Sequence, residues 1–60
     1  MDSNILYVYE HADWIKTYLS DGQYYIEIEA DGEYMFDLDI TVEGVWGKAA
    51  DWILRRAMDK

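Results

Sequence analysis

Four carboxylates offer the only residue spacing in this chain that suggests chemistry. Glu27 and Glu29 are separated by one residue, and so are Asp37 and Asp39. Paired carboxylates can divide acid–base work or ligate a hard cation. Both tasks want a concave site, whereas the sequence around these four is strand-like and spreads them over a flat surface. The pattern of a calcium-binding loop is absent. His11 is the only histidine and there is no cysteine, so a transition-metal site lacks ligands. Ser3 and Ser20 have no base close by in sequence, which leaves nucleophilic catalysis unsupported. The expectation is a non-enzymatic protein with no catalytic residue, cofactor or metal.

The stretch that must position the acids runs from Gln23 to Thr41. Tyr24, Ile26, Ile28 and Ala30 alternate with Tyr25, Glu27 and Glu29, and Tyr34, Phe36, Leu38 and Ile40 alternate with Met35, Asp37 and Asp39. Period two marks half-buried strands, and the intervening Asp31-Gly32 marks a hairpin. A two-residue turn there would set Ile28 against Met35 and turn Phe36 away from the core. A three-residue loop with Gly32 left-handed in a bulge is therefore expected. It gathers Glu27, Glu29, Asp37 and Asp39 on one outer face, with Tyr25 and Met35 among them.

Upstream, the apolar run Ile5 to Tyr9 reads as a strand. Trp14 to Leu19 fits either a helix stripe or a strand, and register favours the strand. A two-residue turn at Asp21-Gly22 sets Leu19 against Tyr24, Thr17 against Ile26 and Ile15 against Ile28, and Lys16 against Glu27. Trp14 and Tyr18 then join the outer face. Downstream, Thr41 suits an N-cap and Val45, Trp46, Ala49, Ala50, Ile53 and Ala57 recur at helical spacing. The expected fold is α+β and one domain over residues 1–60. An antiparallel meander of four strands (about 5–9, 14–19, 23–30 and 33–41) carries one C-terminal helix (about 45–58) on its apolar face. Its first strand, with Ile5, Tyr7 and Tyr9, would be an uncharged sheet edge.

Charge narrows the partners. The chain has a net charge of −8, and Lys16 is the only cation before Lys48. Nucleic acid is an unsuitable ligand, since binding it needs a cationic stripe. Acidity favours basic partners and solubility. No apolar run approaches the ~20 residues of a membrane span. Met1-Asp2-Ser3-Asn4 lacks the basic start of a secretory signal, so the expected location is the cytoplasm.

Like charges on adjacent strands work against a sheet by up to ~1 kcal/mol per opposed pair. A chain of 60 residues has little stability to spare. Acids kept beside Trp14, Tyr18, Tyr25 and Met35, types enriched at interface cores, suggest a docking surface for a basic groove. The competing account is an acidic face kept for solubility. The short, cysteine-free, acidic chain resembles the small inhibitor proteins of bacteriophages and other mobile elements, including anti-CRISPR proteins and other DNA mimics. The resemblance rests on size, charge and the acidic stretch from Asp21 to Glu43. It implies a target that is a host nucleic-acid-handling protein, for instance a CRISPR effector in the bacterial cytoplasm. The alternative function is a small structural or regulatory protein that acts as a homodimer through Ile5, Tyr7 and Tyr9.

Overall fold

The computed structural model describes residues 2–58, which form the elements α1 (Ser3–His11), β1 (Trp14–Ser20), β2 (Gln23–Ala30), β3 (Glu33–Asp39) and α2 (Val42–Met58). The class is α+β with an antiparallel meander, as expected. The first element departs from expectation. Asp2 holds extended backbone and its carboxylate accepts the Asn4 N–H at 2.8 Å, an N-cap that opens a helix where a strand was expected. Ile5, Val8 and Ala12 turn toward the core from one stripe, and Leu6 and Tyr9 are exposed. An apolar run without alternation fits period two no better than a helix. The stripe also continues past Glu10-His11 to Ala12, which a strand ending at Tyr9 would leave unused. The sheet thus has three strands rather than four, and Ile5, Tyr7 and Tyr9 form no sheet edge.

Both hairpins turn on two residues. Asp21 and Gly22 have φ of 53° and 76°, and Asp31 and Gly32 have 53° and 78°. A left-handed pair at both central positions matches the twist of the flanking strands. In the first hairpin Leu19 faces Tyr24, Thr17 faces Ile26, Ile15 faces Ile28 and Lys16 faces Glu27, the register expected. The second hairpin has no bulge. Ile28 faces Met35 and Glu27 faces Phe36, so every side chain of β3 is on the opposite face from the expected one. Met35 is buried in the core, while Tyr34 and Phe36 are exposed.

The tight turn prevails because one thioether on β3 is enough for the core and because Lys48 waits on the helix side. Its Nζ is 3.3 Å from Asp39 Oδ2 and 3.8 Å from Asp37 Oδ1. Asp37 and Asp39 therefore face a cation where the expected register had placed Phe36 and Leu38.

α2 begins three residues before the expected Val45. Thr41 is its cap, with Oγ1 accepting the Gly44 N–H at 2.9 Å and the carbonyl accepting the Val45 N–H at 3.1 Å. Gly44 is required by a close approach: a Cβ there would lie 2.5 Å from Cγ of Asp39. The helix lies over β2 and β3, and α1 packs against it. Val8, Ile26, Ile28, Val45, Trp46 and Ile53 meet in one buried cluster between helices and sheet. The described residues form two layers, and among them no helix covers the other face of the sheet.

Candidate protein-docking face

Strand alternation and the two registers determine what the uncovered face displays. Its side chains form three rows across β1, β2 and β3: Trp14, Glu29 and Tyr34; Lys16, Glu27 and Phe36; Tyr18, Tyr25 and Leu38. The two carboxylates lie on the central strand, with aromatic rings on both sides. Tyr18 stacks on Tyr25 with centroids 4.9 Å apart and planes at 8°, and Tyr25 meets Phe36 at 5.9 Å. Such cross-strand contacts steady a thin sheet by roughly 0.2–1 kcal/mol each. Tyr25 is half-buried between its neighbours, while Trp14, Tyr34 and Phe36 keep 43%, 55% and 47% of their surface in solvent.

Glu27 is the polar centre. It accepts the Tyr34 hydroxyl at 2.7 Å and lies opposite Lys16, whose Nζ sits 5.6 Å from the centroid of Tyr18. The bond to Glu27 holds the Tyr34 phenol protonated and pushes its pKa up to about 12. The Tyr18 phenol is also raised, first by partial removal of the ring from water and then by the Glu27 charge. Glu29 has no side-chain partner among the described residues. A phenol raised on folding contributes stability that is present below its ordinary pKa of 10 and lost as pH rises through the raised value near 12. Ultraviolet titration should therefore show one tyrosine ionising near 12. Glu27→Gln should return it toward the ordinary range. Unchanged titration in Glu27→Gln would contradict the assignment.

The expected acidic face is divided in two. Glu27, Glu29, Tyr25, Tyr18 and Trp14 share the open face, as the alternation indicated. Asp37, Asp39 and Met35 are on the helix side, with Met35 in the core and both aspartates beside Lys48. Asp39 also accepts the Thr41 N–H at 3.0 Å, and this bond, followed by Lys48, lowers its pKa. That contribution is present above the ordinary carboxylate range and lost as pH falls through the lowered value. Tyr34, Phe36 and Leu38 take the vacated places on the open face. The Asp31-Gly32 pair, read as a two-residue turn, was the signal for them.

Among the described residues no three His, Asp or Glu side chains converge as metal ligands. His11 instead meets Tyr7 one helical turn away, ring centroids 4.3 Å apart. No helix among the described residues is long and apolar enough to cross a membrane.

Fold and face together define a two-layer α+β domain that exposes an aromatic sheet surface around two carboxylates. No family model, curated protein or solved structure matches the chain.

Proposed function

We propose that the protein is a non-enzymatic inhibitor whose open sheet face occupies a basic, nucleic-acid-binding surface of a host protein or nucleoprotein complex. The observation that carries this reading is the placement of Glu27 and Glu29 within a frame of exposed rings, in a chain of net charge −8. An arginine or lysine reaching this face meets a ring to stack on and a carboxylate to pair with. Cation–π contacts contribute about 0.5–1 kcal/mol when exposed and about 2 when desolvated. Lys16 over Tyr18 already makes the contact within the chain.

Charge would steer the encounter and rings would supply the buried contact, the usual division of labour at such interfaces. The anti-CRISPR and DNA-mimic class, which acts in the bacterial cytoplasm, remains the functional analogy. The acting surface is revised: Asp37, Asp39 and Met35 leave it, and Tyr34 and Phe36 enter.

Affinity capture from a bacterial lysate tests the reading when wild type is run beside Glu27→Lys/Glu29→Lys. Wild type should retain nucleic-acid-binding proteins that added DNA or RNA displaces and that the double variant does not retain. Capture of the same proteins by both, or indifference to the nucleic acid, would overturn it.

A further inference from the structure

The two edges of the sheet are not alike. Backbone hydrogen bonding alternates along an antiparallel ladder, and the closing pairs Ser20–Gln23 and Ala30–Glu33 set its phase. β1 therefore turns the N–H and C=O of Ile15, Thr17 and Leu19 away from β2, and β3 turns those of Tyr34, Phe36 and Leu38 outward. On β3 the ladder is stopped at Leu38. Its N–H donates to Asp37 Oδ1 and its carbonyl accepts Lys48 Nζ, both at 2.8 Å. Glu33, Asp37 and Asp39 add charged side chains along this edge, held by Arg56 and Lys48 of α2. These are the means by which proteins keep an edge from pairing. β1 is more weakly guarded: it carries no carboxylate and a single charge, Lys16. Among the described residues no hydrogen bond reaches the outward groups of Ile15, Thr17 and Leu19.

We propose that β1 pairs antiparallel with β1 of a second copy about a two-fold axis at Thr17, joining two sheets into one. The register follows from the phase. Only odd-numbered residues of β1 have outward backbone groups, and centring on Thr17 uses Ile15, Thr17 and Leu19 of both copies, for about six hydrogen bonds.

Within the paired span Ile15 to Leu19 the side chains agree with this register on both faces. On the helix side, α2 lies over β2 and β3 and leaves Leu19 61% exposed. Pairing sets Leu19 opposite Ile15 of the second copy, whose flank is an open hollow of about 330 Å³ lined by Tyr9, Ala12, Asp13 and Trp14. On the open face, Lys16 comes opposite Tyr18 of the second copy, a ring of the type it already lies over. The paired span itself holds the one strand of the sheet that carries no carboxylate, and like charges come level only beyond its ends, where Asp13 meets Asp21 of the second copy. Symmetry of this self-complementary kind is the commonest form of dimer. It differs from the dimer first expected, whose strand at Ile5 to Tyr9 is part of α1.

The test needs only the purified chain, so its outcome is independent of the docking proposal. Sedimentation equilibrium from low micromolar to millimolar concentration should show the mass rising from one chain to two. Thr17→Pro deletes the central outward N–H and leaves the ladder to β2 intact, and should weaken association at least about tenfold. Phe36→Pro, at an outward position on β3, should leave association unchanged. A wild type that stays monomeric overturns the proposal, as does a dimer unaffected by Thr17→Pro or equally weakened by Phe36→Pro. Should either variant fail to fold, amide exchange of the wild type decides. Ile15, Thr17 and Leu19 should exchange more slowly at high concentration than at low, and equal rates at these amides overturn the pairing.

Discussion

Met35→Lys is expected to unfold the protein, whereas Phe36→Lys should leave it folded. Met35 is buried against Ile28, and losing such a side chain costs about 2–5 kcal/mol. An ammonium without a partner in that site adds a desolvation penalty. A domain of this length has only about 3–9 kcal/mol of stability in total, so the sum is close to the whole. Phe36 is half exposed and loses its tilted ring contact with Tyr25, up to about 1 kcal/mol. A lysine there faces Glu27 across the strands, which offsets part of the loss. Circular dichroism during urea unfolding reads both. The three-residue loop would reverse the outcome, with Phe36→Lys unfolded and Met35→Lys tolerated, and that result would contradict the register.

The contrast between these neighbours shows where the sequence was legible. β1 and β2 were readable because two agreeing signals fixed their register. Asp21-Gly22 specified the turn, and the same turn matched Ile15, Thr17 and Leu19 with Ile28, Ile26 and Tyr24. At Asp31-Gly32 the signals disagreed. Turn chemistry favoured two residues, while the greater apolarity of Tyr34, Phe36 and Leu38 favoured burying them. The turn prevailed because the helix brings Lys48 to Asp37 and Asp39, a contact between residues whose meeting depends on where α2 crosses the sheet. Local pattern does not contain that crossing.

α1 was missed for a related reason. Ile5 to Tyr9 is apolar on all sides, so its period had to be read from Ala12 and its start from the Asp2 cap. α2 declared itself through Thr41 and its apolar stripe. Of the candidate docking residues, those on β1 and β2 were placed correctly on the open face. Those on β3 were assigned to the wrong face by the one-residue difference in turn length, which inverts an entire strand.

The same Phe36→Lys variant carries the largest expected functional effect. Phe36 stands beside Glu27 at mid-length of β3 on the open face, where an aromatic anchor would be desolvated by a partner. Loss of such an anchor costs about 2 kcal/mol or more, equivalent to about thirtyfold in affinity. The added lysine would also meet the partner's cations, and like-charge contact adds to the loss. Leu54→Lys provides the control. Leu54 is as exposed as Phe36, with both at 47%, but it projects from α2 on the other layer. The measurement is the dissociation constant of a captured nucleic-acid-binding partner for wild type, Phe36→Lys and Leu54→Lys, each verified as folded. The account predicts a loss of at least about thirtyfold for Phe36→Lys and wild-type affinity for Leu54→Lys. Equal affinities for the two variants, or a loss confined to Leu54→Lys, would contradict it.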